Sequence, residues 1–211
     1  MPFPLLGQIS EYSYAVPVVV GAYRFRKLGF LGKGFFFYCL FLAMGMFTED
    51  VIGRMGMSNH SFMKIFAIGQ TIYMTILFCL FVKAKRFRIS AIFFLLVFLV
   101  TSGITQFYLN ANDLFNSTTL FSRGILSLIF GAIMVNIATN IHEVQYFKNP
   151  LFWFGSALLV YNAGTIMILS FGNELYKMGL QYFEATWYVN WALLTLSNLL
   201  YSYTILCFHN E

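Results

Sequence analysis

Charge is scarce in this chain. Its 211 residues include 13 Lys and Arg and 8 Asp and Glu, 10% in all, against 59% hydrophobic side chains and a mean hydropathy of +0.73. A soluble core of that length cannot bury so much apolar surface, so the expected solvent is lipid. Cysteine and histidine are equally sparse, at three each. Cys39, Cys79 and Cys207 lie inside or at the ends of apolar runs without CxxC spacing, which argues against a disulfide framework and for packing roles. With only His60, His142 and His209 present, no histidine metal centre is expected. His142-Glu143-Val144-Gln145-Tyr146 opens like a zinc-protease helix, but Tyr146 stands where the second ligand must be. The last apolar run has no lysine for a retinal Schiff base. The chain has no Walker-type loop, no GxSxG elbow and no DxxD-like pair of acids, so no cofactor is expected and light sensing, ATP-driven pumping and hydrolase chemistry lose support. The formal charge of +5 does not point to nucleic acid, because the basic residues sit in short clusters between apolar runs, where they read as topology signals.

The chain is rich in apolar runs of spanning length. They fall at about residues 4–23, 34–53, 63–83, 89–108, 119–139, 150–171 and 186–207, each near the roughly 20 residues that a bilayer core demands. The expected fold is therefore all-α and membrane-embedded, a single seven-helix transmembrane domain over residues 1–211. Nine Lys and Arg fall in one set of connections (Arg24, Arg26, Lys27, Lys33, Lys83, Lys85, Arg86, Arg88, Lys148) and four in the other (Arg54, Lys64, Arg123, Lys177). That bias predicts an N-terminus outside and a C-terminus in the cytoplasm, in an inner (cytoplasmic) membrane. The start, Met1-Pro2-Phe3-Pro4-Leu5, lacks the positive n-region of a secretory signal and suits an uncleaved first span. Six of the eight acids (Glu11, Glu49, Asp50, Asp113, Glu174, Glu184) fall on the outer side, giving an acidic outer face and a basic inner one. The triplets at Asn59 and Asn116 match the N-x-S/T pattern too weakly to carry weight.

A faint repeat runs through the chain. Arg54-Met55-Gly56-Met57 parallels Lys177-Met178-Gly179-Leu180, Gln70-x-x-Tyr73 parallels Asn198-x-x-Tyr201, and Thr75-Ile76-Leu77 parallels Thr204-Ile205-Leu206. Such a pattern would suit a 3+1+3 arrangement, although apolar helices share a small alphabet and chance explains the match at least as well.

Polar groups placed where lipid should be are the most informative residues, since an ionisable side chain there costs several kcal/mol unless it faces protein, water or a partner. Gln8, Glu11, Tyr12 and Ala15 share one helix face, and Gln70 with Tyr73 repeats the logic in the third span. Arg123 stands about one turn into the fifth span, with Ser127 a turn below, while Glu49 and Asp50 close the second span at similar depth. Glu49, Asp50 and Arg123 therefore form a candidate outer ion-pair network, against the alternative that Arg123 snorkels to headgroups and the acids lie in water. The seventh span carries Trp187, Asn190, Trp191, Ser197, Asn198 and Tyr201 at helical spacing, and Asn162, with Tyr161 and Thr165, is placed to meet that face. Interhelical packing explains Asn162 and Asn198 as readily as ligand binding does. Trp153, Trp187 and Tyr188 fit interfacial anchoring. The candidate ligand set is Glu11, Gln70, Tyr73, Arg123, Asn190 and Trp191, lining one outward-facing pocket; no catalytic or metal-binding set is expected.

Ile9-Ser10-Glu11-Tyr12-Ser13-Tyr14-Ala15-Val16-Pro17, Tyr23-Arg24-Phe25-Arg26-Lys27-Leu28, Asn149-Pro150-Leu151-Phe152-Trp153-Phe154-Gly155-Ser156-Ala157-Leu158-Leu159-Val160-Tyr161 and the Asn190 to Leu200 stretch cover about a third of the chain. Together they resemble a group of small bacterial seven-span proteins that look like free-standing relatives of the membrane sensor regions of histidine kinases. The resemblance implies Glu11, Glu49 and Arg123 as family-like polar positions, with Gln70 where an acid is more usual, and brings no established activity with it. The expected function is a receptor-like or sensory membrane protein that binds a small ligand and signals through a protein partner at its cytoplasmic loops. Its other partner is the bilayer. A small-solute transporter is the alternative, and a membrane-embedded lipid enzyme using Glu11 or Glu49 ranks third.

Overall fold

The structure is a computed structural model that describes residues 5–57, 59–82, 85–108, 120, 123–129, 131–132 and 147–208. Asp113, the Asn116 triplet, the 142–146 motif and much of the expected fifth span lie outside the described residues. Within them the chain is helical, with no strand. The helices are α1 (Leu5–Ser13), α2 (Ala15–Arg24), α3 (Phe30–Arg54), α4 (His60–Phe81), α5 (Lys85–Tyr108), α6 (Pro150–Met178) and α7 (Leu180–Cys207), with a further helical stretch at 123–129.

The first expected span is two helices, parted at Tyr14. Pro17 explains the break: it has no N–H to donate to the Ser13 carbonyl, and its ring crowds that carbonyl. The helix α2 then tightens into a 3-10 turn, Phe25–Lys27, before Leu28 becomes extended. Arg24 Nη1 donates to the Leu206 carbonyl at 2.7 Å, so a basic residue of this connection compensates the carbonyl end of α7.

At its other end α3 closes with a Schellman motif. Met57 N–H donates to the Ile52 carbonyl at 3.3 Å and Gly56 N–H to that of Gly53 at 3.0 Å, with Gly56 at φ +71°. Helices α6 and α7 are parted only by Gly179, at φ 137° and ψ 149°. Both run past the expected limits of 171 and 186.

Among the described residues, three helices are long and apolar enough to cross a membrane: Phe30–Arg54, Ser61–Phe81 and Lys85–Ile104. Their hydropathy and burial run in opposite directions. The last is the most apolar, at 2.2, yet only 17% of its spanning window is buried, against 39% for each of the others. Phe93, Leu96, Val100 and Ile104 lie on its exposed side. Apolar side chains turned outward are what a lipid solvent selects.

Helix α7 shows the converse. It packs against α6, α2, α1 and α3, and buries Asn190, Ser197, Asn198, Ser202 and Thr204. The core is aromatic: Phe35 and Tyr38 of α3 meet Phe154 of α6 (ring centroids 4.6 and 6.2 Å) and Tyr201 of α7 (5.8 and 6.2 Å). Tyr73 of α4 stands 5.7 Å from the Tyr38 ring. Edge-to-face geometry at these separations adds to the packing of each ring. Cys39 is buried within the same core, and all three cysteines are free.

Candidate functional site

The buried polar groups belong to five helices, α1, α4, α5, α6 and α7, and the 123–129 stretch. Arg123 is buried, 9% exposed, and is the charged member of the buried set among the described residues. Its Nη1 donates to Asn162 Oδ1 at 3.1 Å, and its guanidinium carbon lies 4.9 Å from the Tyr161 ring centroid. One turn along α6, Thr165 Oγ1 shares its single proton between Asn190 Oδ1 of α7 at 3.2 Å and the Tyr161 carbonyl at 2.8 Å. Arg123 and Asn190 therefore address successive positions on one face of α6. Tyr14, Tyr38 and Tyr201 lie within electrostatic range of the guanidinium.

A guanidinium only donates, so it fixes the Asn162 amide with its oxygen toward Arg123 and its nitrogen away. That leaves two buried donors, Arg123 Nε and Asn162 Nδ2, without a partner among the described residues. The guanidinium also has no carboxylate at ion-pair distance there; the ion pairs found are Asp50–Arg54 and Glu174–Lys177. A desolvated cation costs several kcal/mol, and one charge-assisted hydrogen bond to a neutral amide with one aromatic face, about 2 to 3 kcal/mol each at most, offsets only part of that.

The expected ligand residues divide into four places. Arg123 and Asn190 meet on α6 as described. Gln70 is buried and donates through Nε2 to the Tyr38 hydroxyl at 3.0 Å, while the Tyr73 hydroxyl donates to the Gly34 carbonyl at 3.0 Å, so both hold α4 against α3. Glu11 is partly exposed, within electrostatic range of Asp50, Glu49 and Arg54. Trp191 is half-buried, its ring 5.3 Å from Tyr188 and 6.5 Å from Trp187.

The expected contact of Arg123 with Glu49 and Asp50 is not a direct one. Asp50 pairs with Arg54 at 2.9 Å, and Glu49 accepts from Asn59 Nδ2 at 3.1 Å. Each acid finds a donor on its own helix end or the adjoining loop, while Arg123 faces α6. Glu49 and Asp50 are therefore bonded apart from the buried cation, with Tyr14 in electrostatic range of both Glu49 and Arg123.

Several interior residues carry more of the arrangement than their sequence context suggests. Asn198 Nδ2 donates to Ser13 Oγ at 2.7 Å, and Ser13 Oγ donates to the Ser10 carbonyl at 2.6 Å, so α7 braces the end of α1 at its break. Ser197 Oγ donates to the Ala157 carbonyl at 3.0 Å, tying α7 to α6. Tyr38 was hidden in a Phe35-Phe36-Phe37-Tyr38 run, where only its hydroxyl signalled anything beyond packing. Among the described residues no cluster of three His, Cys, Asp or Glu is placed to hold a metal ion. No family model, curated protein or solved structure matches the chain.

Proposed function

We propose that this chain is a seven-span protein of the cytoplasmic membrane, N-terminus outside, that binds a small ligand in its interior polar layer and reports it to a protein partner through its basic cytoplasmic loops. The observation that carries this reading is the buried Arg123, held by Asn162 and the Tyr161 face with donors to spare. A scaffold that only had to pack would gain by replacing such a cation with apolar side chains.

A transporter is the second reading, favoured by the break in the first span at Tyr14, since interrupted helices near polar groups are a recurring device for moving solute. Reporter fusions in the connections and purified full-length chain in proteoliposomes test both. The receptor reading expects alternating reporters with the C-terminus inside, ligand-dependent stabilisation and no solute uptake. Saturable uptake would favour the transporter, and an even number of spans would overturn the topology.

A further inference from the structure

Six helix ends come together at one end of the bundle. Arg24 Nη1, closing α2, donates to the Leu206 carbonyl in the last turn of α7 at 2.7 Å. A Cβ on Gly32, in the first turn of α3, would stand 3.2 Å from Phe208 Cβ, and the Phe208 ring lies 6.1 Å from that of Phe81, the last residue of α4. Arg88, in the first turn of α5, donates through Nε to the Val82 carbonyl at the end of α4. Trp153, in the first turn of α6, meets Tyr203 of α7 edge-on at 4.8 Å. Phe208 therefore joins the α2–α3 connection to the α4–α5 connection.

This end is basic and uncompensated. Arg26, Lys27, Lys85, Arg86, Arg88 and Lys148 are exposed there, and none has an acid partner among the described residues. The described acids lie elsewhere: Glu49, Asp50 and Glu174 in the far turns of α3 and α6, Glu184 at the start of α7, and Glu11 in α1 within electrostatic range of Asp50. Two further cations are occupied, Arg24 by the Leu206 carbonyl and Lys33 by the Phe25 ring, 5.5 Å from Nζ. Large apolar side chains are exposed among the basic ones, Tyr23 at 92% and Phe30 at 76%, and Ile89 and Phe93 of α5 stand exposed just after Arg88. A soluble acidic protein or a nucleic acid would have to cover those rings or leave them in water. A bilayer interface takes both kinds of group, the apolar ones by acyl chains and the cations by headgroups.

We infer that this basic end is a docking surface for anionic phospholipids, whose phosphates are taken by the exposed cations of the two connections that Phe208 joins. Zwitterionic lipid offers the same phosphate but adds an ammonium, which uncompensated cations repel. Each exposed Lys or Arg near an anionic surface strengthens association by about fivefold, an effect that salt screens. The surface lies apart from the interior around Arg123 and holds whether or not a ligand binds there; it rests on α3, α4 and α5 as membrane spans.

The test is native mass spectrometry of the full chain in detergent, titrated with an equal mixture of phosphatidylglycerol and phosphatidylcholine of matched acyl chains. At low salt the unaltered chain is expected to retain phosphatidylglycerol at least about fivefold over phosphatidylcholine. Arg26→Gln combined with Lys27→Gln is expected to lower that ratio at least about threefold, and adding Lys85→Gln and Arg86→Gln to bring it to about one. Arg54→Gln combined with Lys177→Gln removes the same charge as the first pair from the other end and is expected to leave the ratio unchanged. Equal retention of the two lipids by the unaltered chain would overturn the docking surface and leave the basic connections to a protein partner. Equal losses in the two double variants would also overturn it, because overall charge and not this end would then set the preference. Should the quadruple variant fail to fold, the two double variants still decide.

Discussion

Helices α3 and α4 form one hairpin and helices α6 and α7 another, and both turn on a glycine of positive φ. Gly56 follows the exposed pair Asp50–Arg54, and Gly179 follows the exposed pair Glu174–Lys177. Each hairpin also contains a close approach at a glycine: a Cβ on Gly45 would stand 2.0 Å from the Phe66 ring, and one on Gly164 would stand 2.0 Å from Leu193 Cδ1. What faces inward differs. The α3–α4 contact is secured by Gln70 and Tyr73 on a largely aromatic surface, whereas α6–α7 carries Asn162, Thr165, Asn190, Ser197 and Asn198. The second hairpin also contributes the hub helix, α7. In lipid the polar hairpin belongs where protein surrounds it, and the apolar one can stand nearer the edge.

The largest contrast should come from removing one polar partner in each hairpin. Asn162→Leu leaves the buried guanidinium without its described hydrogen-bond acceptor and should cost about 3 kcal/mol in detergent unfolding, while Gln70→Leu should cost only about 1 kcal/mol. Equal losses would break the comparison. The turns come next. Gly179→Ala forces a side chain into a backbone region that is nearly glycine-only, and a loss of about 2 kcal/mol is expected, against about 1 kcal/mol for Gly56→Ala. Thermal midpoints of the two variants check this.

The close approaches follow. Gly45→Ala meets three atoms of the rigid Phe66 ring within 2.7 Å and should cost about 1.5 kcal/mol. Gly164→Ala meets only the mobile end of Leu193, the next atom standing 3.5 Å away, and should cost about 0.5 kcal/mol. The smallest effect belongs to the exposed pairs: Arg54→Ala and Lys177→Ala should leave the unfolding midpoint unchanged, since solvent-screened ion pairs contribute little.

The apolar helices were plain in the sequence because length and hydropathy alone decide them, as α3, α4 and α5 show. The break in the first span was legible in Pro17, yet a hydropathy reading passes over it because proline scarcely changes the average. The polar faces of α6 and α7 were legible as spacings, and the Thr165–Asn190 bond joins two residues that such spacing singles out. Partner choice was not legible. Arg123 could be matched on depth to Glu49 and Asp50, but Asp50 takes the nearer Arg54 one turn along its own helix, and Glu49 takes Asn59 from the loop that follows. Tyr38 was missed for a related reason: in a phenylalanine-rich run, only packing reveals that one hydroxyl receives Gln70.

The pairing of Arg123 with Asn162 is the centre of the buried polar site. A double-mutant cycle with Arg123→Gln and Asn162→Leu, read by reversible unfolding of the full chain in detergent, measures it. A coupling energy above about 1 kcal/mol is expected for a buried, charge-assisted bond. Additivity within about 0.3 kcal/mol would mean that the cation does not bond Asn162, and would contradict the site.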